Sequence, residues 1–153
     1  MSMEYVAPLY KLELVRQREI PFQSGTTTEQ RVSYLRNLFE KSVVEEFAVV
    51  YLSSSGQILG SEIIAAGSVD SVQVNLPKIF RGAIVSACSS IVIAHCHLSD
   101  SAEPSFQDIS LTRSAIEMGS FLKIPVRDHI IIATLGGYIA MSENPHFLSE
   151  STT

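Results

Sequence analysis

Cysteine is scarce in these 153 residues, basic residues are outnumbered and no apolar run is long. Only Cys88 and Cys96 occur, both in or beside apolar stretches, which argues against a disulfide framework and for a reduced, cytoplasmic setting. Eleven Lys and Arg stand against sixteen Asp and Glu, for a formal net charge of −5. Arg16, Arg18, Arg31 and Arg36 are interleaved with Glu13, Glu19, Glu29 and Glu40, as on a solvated face, so no basic patch forms. That disfavours general nucleic-acid binding, which runs on phosphate neutralisation. The apolar runs fall short of the roughly 18 residues of a membrane-spanning helix, so no membrane partner is expected. Met1-Ser2-Met3-Glu4-Tyr5 has no basic segment leading into an apolar one, which gives no sign of secretion. Repeats and low-complexity segments are also missing.

What is present is one domain's worth of chain, 46% hydrophobic and 18% charged, enough for a single substantial core. Residues 1–25 read as an N-terminal arm or edge strand, because 10–20 alternate only in part. Thr26 and Glu29 stand at capping-box spacing before a helix whose Val32, Leu35, Leu38 and Phe39 share a face. Residues 46–52 and 57–65 predict two strands around the hairpin signal Ser53-Ser54-Ser55-Gly56, with a further strand near Val69 to Val74. Asn75 and Pro77 open a helix carrying Ile79, Phe80, Ala83, Ile84 and Ala87, which leads to a strand over 90–97. Leu111, Ala115, Met118 and Leu122 mark an amphipathic helix, and Val126 to Ala133, Gly136-Gly137 and Tyr138 to Met141 a closing hairpin. The tail over 144–153 is expected to fray. Alternating strands and helices give a layered α/β domain over 26–143.

The chemistry concentrates in His95-Cys96-His97-Leu98-Ser99-Asp100 and in Asp108. His95 and His97 close the apolar run Ile91-Val92-Ile93-Ala94, and in a strand residues two apart project to the same side. Asp108 follows a loop-like segment, at the start of a helix, so a strand end and a helix start can bring it to the histidines. Two imidazoles and one carboxylate form the ligand set of a catalytic Zn2+ site, with the fourth position left to water. Cys96 points the other way by alternation and reads as a small buried hydrophobe. Asp128-His129 is a tempting polar pair, but His129 heads an apolar run and reads as a satisfied structural histidine. His146, in the tail, carries no signal.

The order H-x-H-x-S, with ten residues between the second His and an Asp, resembles the JAMM (JAB/MPN) metallopeptidase signature, and more closely its RadC-like branch. Glu45-Glu46-Phe47-Ala48-Val49-Val50-Tyr51-Leu52 resembles that family's first core strand with its upstream acid, and Gly67-Ser68-Val69-Asp70 its short turn. Residues 77–84 are similar to the helix before the metal strand, and residues 104–113 and 124–132 match the RadC-like pattern closely. Two departures stand out. Leu98 and Asp100 occupy places where the family has Pro and Gly, which bears on loop geometry and turnover.

The resemblance implies an α-β-α layered domain with a mixed β-sheet flanked by helices. It also implies an amide hydrolase, a peptidase or isopeptidase with a protein or peptide substrate, and Zn2+ held by His95, His97 and Asp108. Glu45, two residues before Phe47, matches the family's general base, and Glu46 remains an alternative because other members place Phe directly after the acid. Ser99 matches the family serine that donates to the oxyanion; its other role is that of a loop hydroxyl capping a turn. A second function class is a non-catalytic metal-binding accessory protein associated with DNA repair or a mobile element. A deaminase is a weaker third, because the H-x-E and P-C-x-x-C signature is missing.

Overall fold

The computed structural model describes residues 1–67 and 74–149. Its elements are α1 (Thr28–Leu38), β1 (Glu46–Leu52), β2 (Ile58–Ala66), α2 (Leu76–Ser86), β3 (Ser90–His97), α3 (Phe106–Leu122), β4 (Val126–Ala133) and β5 (Tyr138–Ala140). The strands form one mixed sheet in the order β2-β1-β3-β4-β5. Among the described residues, only β3 and β4 run parallel, joined by the crossover helix α3; the other neighbouring pairs are antiparallel.

Strand alternation divides the core into two. Ala48, Val50 and Leu52 face α1 together with Val92, Ala94 and Cys96, and Val32, Leu35, Leu38 and Phe39 seal that side as the helical periodicity predicts. Phe47, Val49, Tyr51, Ile91 and Ile93 face the other way, onto Ile79, Phe80 and Ala83 of α2 and Ala115 of α3. Leu111, Met118 and Leu122 pack on this second side, so the expected face of α3 is the one used. The sheet therefore lies between α1 and the α2/α3 pair, the three-layer α-β-α arrangement.

Local differences have local causes. The N-cap of α1 is Thr27, with Gln30 completing the capping box, one residue beyond the expected Thr26 and Glu29. Residues 1–25 carry neither helix nor strand. The segment is tied down late, where Arg18 donates to Leu38 O at 3.0 Å and Asn37 to Pro21 O at 2.8 Å. Beyond Asn144, Pro145–Phe147 make a 3₁₀ turn, Leu148 packs by Ile131, Ala133 and Met141, and Arg113 donates to Ser149 O at 2.7 Å. Gly56 closes the first hairpin at φ 82°, a backbone region open to glycine. The turn expected at Gly67-Ser68-Val69-Asp70 and the strand near Val69 to Val74 lie outside the described residues, apart from Gly67 and Val74 themselves. Among the described residues, no helix is long and apolar enough to cross a membrane.

Candidate metal centre

His95 and His97 lie at the C-terminal end of β3 and project toward the α2/α3 side, as their two-residue spacing dictates. His95 is 2% exposed and stacks on Phe47, its partner across β1, with ring centroids 5.5 Å apart and planes 8° from parallel. Asp108 arrives from the first turn of α3. Ser105 is the N-cap of that helix and Asp108 its N3 residue: Ser105 Oγ accepts the Asp108 N–H, and Asp108 Oδ2 accepts the Ser105 N–H at 2.7 Å. The capping box thus aims the carboxylate as well as starting the helix.

The three side chains converge on one point. His95 Nε2 and His97 Nε2 are 2.9 Å apart, Asp108 Oδ1 is 3.4 Å from His95 Nε2, and Asp108 Oδ2 is 3.9 Å from His97 Nε2. One ligand atom from each lies within 4.8 Å of the others. Tetrahedral ligands at bond lengths of about 2.0–2.1 Å stand about 3.4 Å from one another, a value these separations bracket. His97 Nδ1 lies 3.1 Å from Ser101 O. A carbonyl only accepts, so Nδ1 carries the hydrogen and Nε2 presents a lone pair toward the centre. The Ser105 N–H, bonded to Asp108 Oδ2, favours the ionised carboxylate. Lone pairs and an ionised carboxylate gathered at this spacing suit a divalent cation.

The loop after His97 is templated by the β4–β5 turn. Thr134 N donates to His97 O at 2.9 Å and Leu135 N to Ser99 O at 3.0 Å. Gly136 lies so close to Asp100 O that a Cβ there would run into it. Neither Leu98 nor Asp100 is among the non-glycine residues at positive φ, so the loop runs without the left-handed turn that the family glycine would permit.

The remaining predicted residues fall around this core. Glu45 immediately precedes β1, is partly buried and accepts the Gly67 N–H on its backbone carbonyl at 2.8 Å. It shares the parity of Phe47, and continuing the Phe47–His95 register one step on that face brings it level with His97. Glu46 belongs to the opposite face: its carboxylate accepts from Ser42 and its N–H lies 3.3 Å from Cys96 Sγ. Cys96 packs in the α1-side core, and burial pushes its thiol up, as suits a small hydrophobe. Ser99 Oγ donates to Ser101 O at 3.1 Å and accepts the Ser101 N–H at 3.3 Å, so its hydroxyl is engaged within its own loop. Asp128 lies apart, accepting the Ser142 N–H at 3.0 Å and hydroxyl at 2.6 Å.

His129 is buried as expected of a structural histidine, yet its Nε2 is 2.9 Å from His95 Nδ1. Thr112, which no motif singled out, reaches both His129 Nδ1 and Asp108 O. The only signal was its position one helical turn after Asp108.

Comparison with known proteins points to one family. A family model, the RadC-like JAB domain, matches residues 25–146. A UPF0758 protein of Caldanaerobacter subterraneus is 32% identical over 124 residues, which are 81% of this chain and 53% of that protein. UPF0758 proteins of Methanosarcina mazei and Thermosynechococcus vestitus are 33% and 35% identical over 99 residues, 65% of this chain and 43% and 39% of theirs. The chain thus spans about half the length of the curated relatives it matches, or less.

Proposed function

This chain belongs to the RadC-like JAB domain family, and from that premise we propose that it is a zinc-dependent hydrolase of peptide or isopeptide bonds. The observation that carries the reading is the convergence of His95 Nε2, His97 Nε2 and the Asp108 carboxylate. Three protein ligands leave a fourth position for water or substrate. Bound there, zinc would supply Lewis acidity and bring a water into the range where it ionises near neutral pH. Glu45 takes the proton of the attacking water and returns it to the leaving amine, so that OH ends on the acyl carbon and H on the nitrogen. The Ser99 hydroxyl turns from Ser101 O to donate to the substrate's developing oxyanion, a contact worth on the order of 100-fold in rate.

Substrate class follows from charge. No Lys or Arg occurs between Ile91 and Ile109, where an enzyme acting on phosphodiesters would cluster them. A second reading, a metal-binding accessory protein without turnover, is favoured by one observation, the engagement of the Ser99 hydroxyl inside its own loop. The test incubates zinc-loaded protein with a panel of peptide-linked and ubiquitin-like conjugates and, separately, with duplex and single-stranded DNA. Conjugate cleavage that disappears in Asp108→Ala supports the hydrolase. DNA cleavage lost in the same variant, with every conjugate intact, refutes it in favour of a nuclease, and inactivity on both favours the accessory role.

A further inference from the structure

We propose that His129 and Thr112 are positioning residues that lock the His95 imidazole as its Nδ1–H tautomer and so present its Nε2 lone pair to the metal. The inference rests on the metal-site reading above and adds residues to it that lie outside the ligand set.

The argument is an accounting of hydrogens along one buried chain of contacts. Thr112 Oγ1 is 2.6 Å from Asp108 O. A backbone carbonyl can only accept, so the single hydroxyl hydrogen of Thr112 is committed there. The same oxygen lies 2.5 Å from His129 Nδ1. It must therefore accept, and His129 Nδ1 must carry a hydrogen. Above the ordinary imidazole range, the condition of the test below, the His129 ring is neutral. A neutral ring protonated on Nδ1 is bare on Nε2, and that atom is 2.9 Å from His95 Nδ1. His95 Nδ1 is then the donor, which leaves the His95 Nε2 lone pair pointing at His97 Nε2 and Asp108.

Each element contributes one link. Thr112 stands one turn beyond Asp108 on α3, and His129 stands level with Ile93 in the parallel β3–β4 ladder, two residues before His95. The links form a ring, from His95 through His129 and Thr112 back to the backbone of Asp108. Two ligands from separate elements are thus held in one hydrogen-bond network whose donor directions are set by a carbonyl at one end. A hydrogen on His95 Nε2 would occupy the place the metal needs, so a chain that forbids it removes a competing state before binding. Outer hydrogen bonds to metal-bound imidazoles commonly act in this way, and their loss costs about 10–100-fold in metal affinity.

Two readouts test the proposal on the full chain. Long-range ¹H–¹⁵N correlation spectra of metal-free protein at about pH 8, above the ordinary imidazole range, should show His95 protonated on Nδ1. Thr112→Val, nearly isosteric, should introduce the Nε2–H form and weaken zinc binding by about 10–100-fold, while Thr112→Ser keeps both the tautomer and the affinity. His129→Phe should follow the valine variant, and thermal unfolding of metal-free protein confirms which variants are folded. A threonine that merely fills space would be replaced by valine without change in tautomer or affinity, and that result overturns the proposal. So does an Nε2–H His95 in the wild-type spectrum. Absence of zinc binding by the wild-type chain overturns the metal-site reading and this proposal together, whereas zinc binding indifferent to Thr112 overturns this proposal alone.

Discussion

The Ser105 N–H donates to Asp108 Oδ2 at 2.7 Å while Oδ1 of the same carboxylate stands 3.4 Å from His95 Nε2, so one side chain both caps α3 and faces the histidine pair. The cap and the ligand are separable, because the orienting donor is a backbone N–H and the capping acceptor a side-chain oxygen. Ser105→Ala removes only the acceptor. Metal-free protein should lose about 1 kcal/mol of stability, read by chemical denaturation, with zinc affinity within a few-fold of wild type. Collapse of zinc affinity at unchanged stability would show that the hydroxyl, not the N–H, aims Asp108.

The two adjacent acids should part company. Glu45 shares the face of Phe47 and His95, whereas Glu46 is held on the opposite face by Ser42. Glu45→Gln should keep stoichiometric zinc and lose at least about 100-fold in hydrolysis, and Glu46→Gln should keep both. The reverse pattern moves the proton shuttle to Glu46.

Gly136 controls the loop that orients His97. A Cβ at this position meets Asp100 O, and Asp100 precedes Ser101, whose carbonyl holds His97 Nδ1. Gly136→Ala should cost about 1–3 kcal/mol through overpacking and about tenfold in zinc affinity by loosening an outer hydrogen bond. Gly137→Ala, where a Cβ meets open space, is the control and should change neither. Equal behaviour of the two variants in zinc titrations would contradict the templating role of the turn.

Metal-free protein should weaken on mild acidification. Burial lowers the His129 pKa in the folded state, so below the ordinary value of about 6.5 the unfolded chain binds a proton that the folded chain refuses. Stability then rises with pH, is fully present above the unfolded pKa and is lost as pH falls through the window beneath it. Asp108, whose folded pKa is depressed, adds a loss of the same sign at lower pH, while Asp128, raised by burial, opposes it there. Thermal unfolding between about pH 7 and about pH 5.5 should show a falling midpoint; a flat profile contradicts a neutral buried His129.

Much of the fold was legible because periodicity and burial agree. β1, β3 and β4 each hold an apolar run within the predicted residues, Phe47–Leu52, Ile91–Ala94 and Ile130–Ala133, and α3 packs by the four apolar side chains that its spacing selects. The shared side of His95 and His97 was legible for the same reason, since alternation alone puts the two rings on one face. Three things were less so. The α1 cap slipped by one residue because adjacent threonines offer equivalent acceptors and Gln30 replaces the expected acid. The tail docks through Leu148 and Arg113, contacts with residues distant in sequence that no local pattern announces. His129 reads as core because it is core; only three-dimensional adjacency reveals that its ring reaches His95.

Metal analysis of the purified chain tests the central claim most directly. One equivalent of zinc should be bound at the site of His95, His97 and Asp108, and His95→Ala or His97→Ala should abolish it, because a two-ligand remnant holds zinc far more weakly than a three-ligand site. Stoichiometric zinc retained by the double His95→Ala, His97→Ala variant would contradict the account.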